Sequence, residues 1–484
     1  MIDDTTSTTR RVAAFASGLQ ADGVPEAVRR HAKLHILDAL GCGIAGAASD
    51  LATRAFAFLD VEHAPGPCPV LGADRSYGPS AAAFGNAVAM NALDFDDGHE
   101  VDGKGMGHPS ATLVAAALGA PFAAAVDGST FLTALVAAYE VNARLIQAIQ
   151  PSIERFRQVY GVCQHQSIAA AVAYGRQLNL SASAMENAMG FAATFANVPS
   201  LRKYNWERRP LVSFKDFNAP AAEAGVRAVQ LDACGLEGAH DVLDGEAGFW
   251  RMIGSDRFDV EHFVEGIGVE WRLLNGSFKA YPACRWMHTA LEAFESLVLD
   301  HGLRAEEIES VGLHTSAGLA RDFMDDRPTT MIDAQFSMPF ALAALAHRVA
   351  PASAWYDPAT LARQDLRSFG TRVTATIDPE VDAMMSGPSR RPAGRVTVRA
   401  RGASFESPLL SYPRGTIENP MSDADVEAKF LANATPVVGA GVAVLLMERV
   451  MTIEAQGNVA DLLRLAPAHP TVALTPSGRP GPKP

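Results

Sequence analysis

The chain has 484 residues, 48% of them hydrophobic and 20% charged, which reads as a globular protein of two or three domains and excludes a disordered chain. The formal net charge of −13 leaves no basic surface for a phosphate backbone, so nucleic acid is excluded as the main partner. An anionic small molecule is not excluded, because a few Arg or Lys side chains can dominate one pocket.

The five cysteines, Cys42, Cys68, Cys163, Cys234 and Cys284, are scattered and make no C-x-x-C pair. Structural zinc, a disulfide framework and an iron–sulfur cluster are therefore not expected. The first residues, Met1-Ile2-Asp3-Asp4, are acidic and show neither a basic n-region nor an apolar h-region. Residues 111–126 come closest to a membrane span but are rich in Ala and Gly, and they read as a buried helix. These features predict a cytoplasmic protein without membrane contact.

Along the chain, Val24–Ala47 has helical periodicity, with Pro25 at the helix start. Helical patterns follow at 80–96, 110–126, 129–150, 163–178, 183–196 and 220–234, joined by short Gly-, Pro- or Asp-bearing loops. The texture then changes. Ile308–Ser316, Arg372–Ile377 and Arg395–Ala400 read as strands, with helices at 287–301 and 333–349 between them. Tyr412–Met421 is a Pro/Gly-punctuated connection, and 423–433 and 439–465 are helical again. The expected fold is mainly α: a large helical domain over 1–270, a smaller α+β domain over 271–405, a helical return over 406–470, and a disordered tail at 471–484 rich in Pro and Gly.

Four segments carry candidate chemistry. Asn91–Glu100 places Asp94, Asp96 and Asp97 at the end of an apolar helix, with His99 and His108 close by. Pro109 suits the first turn of the next helix, whose free N–H groups attract an anion beside His108. The competing reading is a solvated helix boundary. The D-x-D-D plus His set also has the ligand types for a divalent cation, at a spacing that matches no standard site. The second segment, Gly276–His288, gathers Lys279, Arg285 and His288, with Tyr281 and Pro282 shaping a turn. Two fixed cations and an imidazole suit anion binding and proton transfer; a basic surface loop is the alternative. The third, Leu201–Gly225, is basic and aromatic and offers Lys215 to a cleft. The fourth, Tyr160–Ser167, holds Cys163 and His165, which face different ways at i,i+2, so a buried structural thiol is expected there.

Taken together and in order, these pieces resemble the MmgE/PrpD family: Ala92-Leu93-Asp94-Phe95-Asp96-Asp97, Gly107-His108-Pro109-Ser110, the Ala-rich helix ending at Leu180, Lys215 before Ala221–Gly225, Gly245–Trp250, Lys279–His288 and Glu418–Ser422. The resemblance implies a helical domain built from both ends of the chain, an inserted α+β lid, a homodimer, and a site at the domain junction that needs no metal or cofactor. It also implies that Asp94, His108, Lys215 and His288 are catalytic, with Lys279 in the lid motif. Two positions depart from it. The family's decarboxylases and epimerase carry a histidine just before the Ala-rich helix, where Tyr160 stands here. Gly98 replaces a threonine that the decarboxylases can carry. These departures point to a different substrate or proton donor, with Tyr160 itself the candidate.

The expected activity is proton abstraction next to a carboxylate on a small polycarboxylate. Asp94, His108, Lys215, His288 and Tyr160 form the catalytic set, and Lys279, Arg285 and Tyr281 bind substrate. A lyase leads this reading. An isomerase with the same apparatus and a catalytically silent binding protein are the alternatives.

Overall fold

A computed structural model describes residues 7–102, 104–105, 107–159, 163–197, 211 and 218–465. Tyr160, Lys215, Tyr204, Trp206, Arg208, Arg209 and the 471–484 tail lie outside the described residues.

The chain is mainly α. Its central helix, Glu26–Gly46, is buried at every position from Ala32 to Gly46, the signature of a helix surrounded by others rather than lying on a surface. Around it pack Pro79–Asn91, Pro109–Ala117, Gly128–Ala148 and, from far along the chain, Asp423–Val438. Gln166–Gly175, Ala182–Thr194 and Asn218–Ala233 complete this body. Ala and Gly let backbones approach closely: a Cβ on Gly225 would sit 2.4 Å from Ala170 Cβ. The larger apolar core draws on residues from Val12 to Leu273 and again from Phe430 to Leu462. Trp250 belongs to it.

A second core runs from Tyr281 to Ala400 and contains the helices His288–Asp300 and Met338–Ala346. One face of a four-stranded sheet packs there, ordered Val373–Ile377, Ile308–Thr315, Arg395–Ala400, Ala403–Glu406. The first pair is parallel and the others antiparallel. Strand Ile308–Thr315 alternates buried and accessible side chains, as one covered face requires. Trp286 packs against this core.

The two cores meet where Cys42, Ala45, Leu93 and Phe95 join the second. A small sheet ties the same region together: Gly98–Val101 pairs antiparallel with Gly276–Ser277, Gly98 opposite Ser277 and His99 opposite Gly276. Residues 276–277 can approach only because position 276 is glycine, since a Cβ there would sit 2.1 Å from His35 Nε2. This pairing brings the Asn91–Glu100 segment beside Gly276–His288. The helical texture of 1–270 hides it, because each strand is only two to four residues long.

Among the described residues, no single helix is long and apolar enough to cross a membrane.

Candidate active site

The helix Pro79–Asn91 stops before the aspartates. Asp94 has φ +52°, a left-handed conformation that Asp tolerates better than bulky residues. Its N–H donates to Asn91 O at 3.0 Å, and Asn91 Nδ2 donates to both carboxylate oxygens of Asp96, at 3.0 and 3.1 Å. The turn thus faces three carboxylates inward, and Asp94, Asp96 and Asp97 are each at most 2% exposed.

His108 closes the turn from the other side, directly ahead of the helix Pro109–Ala117. Its Nδ1 lies 3.1 Å from the carbonyl of Asp97. A carbonyl only accepts, so Nδ1 carries the proton and Nε2 is the basic nitrogen of the neutral ring. Nε2 lies 3.9 Å from Asp94 Oδ1, and Nδ1 lies 3.8 Å from Asp96 Oδ2. The His108 side chain is 22% exposed, whereas that of Asp94 is 3% exposed. Asn218 Nδ2 donates to His108 O at 2.6 Å, fixing the backbone. The Asp97 carboxylate accepts from Ser110 N at 2.8 Å and so caps the helix that follows.

Lys279 reaches Asp94 from across the junction. Its Nζ donates to Asp94 Oδ1 and to Asp94 O, both at 2.7 Å. Asp94, His108 and Lys279, from separate motifs, therefore form one group.

The other expected residues stand differently. Arg285, read from sequence as a substrate anchor, has its fork committed inside the protein. Nε donates to Glu100 Oε1 at 2.5 Å, Nη2 to Ser277 Oγ at 2.8 Å and Phe278 O at 3.0 Å, and Nη1 to Arg414 O at 3.3 Å. His288 is fully buried, with Nε2 on Ala283 O at 3.1 Å and Nδ1 3.5 Å from Arg285 Nη1. Burial, helped by Arg285 and Lys279, holds its pKa well below the usual imidazole value. Tyr281 donates to Glu295 Oε2 at 2.5 Å. Cys163 is buried with Sγ 3.3 Å from Asn218 Oδ1, the structural role expected for it.

Behind the turn lie polar residues that the sequence did not single out as a group. His35 Nδ1 stands 2.7 Å from Asp97 Oδ2, and Tyr139 donates to the same oxygen at 3.2 Å. Burial raises the Asp97 pKa to about 7 and lowers that of His35 to about 3. Lys429 Nζ lies 2.6 Å from Asp38 Oδ1 and donates to Phe95 O at 2.5 Å. Desolvation, opposed by Lys429, lifts Asp38 to about 6. Gln335 Nε2 donates to Ala92 O at 2.7 Å.

Asp94, Asp96 and His108 bring ligand atoms within 4.8 Å of one another, the one arrangement among the described residues that could hold a cation. The ammonium of Lys279 already occupies the cationic position against Asp94, so a metal there would have to displace it or share that oxygen.

Buried carboxylates, the Lys279 ammonium and the partly exposed His108 imidazole thus meet at a seam between two cores. Sequence models of the MmgE/PrpD N-terminal domain and the MmgE/PrpD C-terminal domain match residues 10–261 and 281–452. The chain belongs to the MmgE/PrpD family. It is 25% identical over 476 residues to the cis-aconitate decarboxylase-like protein oryM of Aspergillus oryzae, covering 93% of this chain and 95% of that protein. It is 25% identical over 482 residues to a cis-aconitate decarboxylase of Aspergillus terreus, covering 94% and 95%. It is also 24% identical over 479 residues to the cis-aconitate decarboxylase of Homo sapiens, covering 96% of each.

Proposed function

We propose that the protein is a lyase that acts on a small polycarboxylate by moving a proton on the carbon next to a carboxylate. The observation that carries this reading is the Lys279–Asp94–His108 group: an ammonium bound to a buried carboxylate, with the Nε2 of an imidazole whose side chain is 22% exposed lying 3.9 Å from that carboxylate. Family membership and the names of the relatives support the lyase class and the polycarboxylate substrate.

In this reading His108 Nε2 removes or delivers the proton, and Asp94 favours the imidazolium that forms. An ammonium has three N–H donors; two of Lys279's serve Asp94, and in this reading the third serves the charge that develops on the substrate carboxylate. Dehydration expels hydroxide, which leaves as water with the proton. Decarboxylation breaks a C–C bond and releases carbon dioxide; here His108 must first take a proton from solvent at Nε2, which it then gives to the carbon that keeps the electron pair. The substrate's leaving group selects between them. Lys215 and Tyr160 stay in the proposed catalytic set on the sequence argument alone. Arg285, Tyr281 and His288 are reassigned to holding the site's frame, because their polar atoms are spent on protein partners. The proposal includes no cofactor, since Lys279 supplies the charge, and takes the α+β unit of residues 271–405 as a lid on a cytoplasmic homodimer. A monomer by analytical ultracentrifugation removes the dimer from it.

The test is proton NMR of chelator-treated protein in heavy water with citrate, 2-methylcitrate, cis-aconitate, malate-like and amino-dicarboxylate compounds. A new or altered vinyl signal with loss of water or carbon dioxide supports the lyase. Deuterium at an α-carbon without bond cleavage moves the protein to the isomerases. No change in any compound defeats the proposal.

A further inference from the structure

We infer that Lys429, on the C-terminal helix Asp423–Val438, is a positioning residue for Asp94: it and Lys279 together clamp the turn that carries the site's carboxylates. The inference rests on the function proposed above only for its kinetic arm.

Asp94 sits in the left-handed region, at φ +52°. Such a conformation costs about 1–2 kcal/mol for a residue with a Cβ and persists only when its surroundings hold it. Two ammonium groups do so. Lys279 Nζ donates to the carbonyl of Asp94 at 2.7 Å, and Lys429 Nζ donates to the next carbonyl, that of Phe95, at 2.5 Å. Lys429 Nζ also lies 4.0 Å from the centre of the Phe95 ring, a favourable place for a cation. The side chains of Lys429 and Lys279 are 4% and 1% exposed. Successive carbonyls of one strained turn thus each receive a buried, charge-assisted donor, from segments 150 residues apart in sequence. Lys429 touches no reacting group. It acts by fixing where Asp94 points, and through Asp94 the field at His108.

The rival account is that Lys429 merely neutralises Asp38, 2.6 Å away on the central helix. A buried charge stripped of its partner is strongly destabilising, whereas removing both charges together restores balance. Lys429→Met alone therefore cannot distinguish the accounts, and the double variant Asp38→Asn with Lys429→Met does. It removes the charge problem and leaves the Phe95 carbonyl without its ammonium.

The readout that needs no substrate is the histidine-ring NMR spectrum of carbon-13-histidine-labelled full-length protein, with His108 assigned by its loss in His108→Asn. The expected result is a double variant that melts close to the wild type yet shows displaced His108 ring signals. Where the wild type turns over a polycarboxylate, kcat should fall about 100-fold at nearly unchanged KM, as a displacement of about 1 Å in a catalytic group can produce. Ring signals that coincide with the wild type overturn the inference, as does a double variant that regains full kcat. A double variant that cannot fold overturns it too, since Lys429 would then be a stability element. A wild type that converts none of the compounds defeats the proposed function and leaves the ring-signal test standing.

Discussion

Arg285 separates two accounts of the site. Replaced by Met, it takes with it the 2.5 Å bond to Glu100, both Nη2 bonds to Ser277 and Phe278, and the longer contact to Arg414. Glu100 is 3% exposed, and its Oε2 has no hydrogen-bond partner among the described residues. Leaving that carboxylate unpaired should cost about 3–5 kcal/mol, a large part of a typical stability of about 5–15 kcal/mol. Adding Glu100→Gln removes the orphaned charge and should recover most of the loss. Urea denaturation of the two variants measures both quantities. Steady-state kinetics of the double variant should show KM within about threefold of the wild type, because no substrate contact has gone. If Arg285 gripped the substrate, the loss of a charged hydrogen bond worth about 1.5–3 kcal/mol would raise KM roughly 10- to 100-fold. A single variant that loses less than about 1 kcal/mol, or a stable double variant with KM raised to that extent, refutes the framework role.

The buried imidazoles predict acid sensitivity. Burial lowers His31, His35, His99 and His165 to about 3 from 6.5; the stability they contribute is present above pH 6.5 and is lost as pH falls toward 3. At pH 5 each should cost about 2 kcal/mol relative to pH 8. Asp97 and Asp38, raised to about 7 and 6, run the other way and return about 3 and about 1 kcal/mol over the same range, so these six groups together lose about 4 kcal/mol, and His288, held well below the usual imidazole value, adds to the loss. Urea midpoints that coincide at pH 8 and pH 5 would refute the neutral burial of these rings. Gly276→Ala places a Cβ 2.1 Å from His35 Nε2; overpacking of this kind should cost about 1–3 kcal/mol, and an unchanged thermal midpoint would show that the close approach is not real.

What the sequence revealed follows from how local each signal is. Residues 129–150 were expected as a helix and form one at Gly128–Ala148, because 3.6-residue periodicity is written within the segment. The strand at Arg395–Ala400 has the expected ends. The helix expected over 80–96 stops at Asn91. Leu93 and Phe95 extend its apolar pattern, but they pack into the second core instead, and a tertiary partner is invisible to periodicity. The helix expected over 333–349 is broken near Ser337, whose hydroxyl caps a new helix at Met338. Helix Thr8–Gly18 was not anticipated, although Ser7 caps it. Asp94, His108 and Lys279 stood out because each lies in a compact polar motif. Lys429 did not, because it reads as one more polar residue on a helix and its partner Phe95 is 334 positions away. Arg285 looked like an anchor for the same reason: Glu100, which claims it, is 185 positions away.

Charge balance sets a condition on any anion that enters. Among the described residues, the buried carboxylates Asp38, Asp94, Asp96, Asp97 and Glu100 face the cations Lys279, Arg285 and Lys429, so the seam is negative before a polycarboxylate arrives. The sequence offers Arg202, Lys203, Arg208, Arg209 and Lys215 as further cations, all outside the described residues. Protons are the other remedy. Asp97, whose carboxyl group faces His35 and Asp38 on the central helix, Tyr139, the Ser110 amide and Lys429, and whose backbone carbonyl accepts from the His108 ring, already holds its proton up to about pH 7. A bound anion raises that value further, so binding near pH 7 should take up protons and weaken as pH rises above 7. Calorimetric titration with whichever polycarboxylate proves to bind, in buffers of different ionisation enthalpy, counts those protons. Enthalpies that agree in every buffer, with an affinity flat between about pH 6 and pH 8, the window around Asp97, would mean that fixed cations alone balance the charge and that the Asp97–His35 pair takes no part.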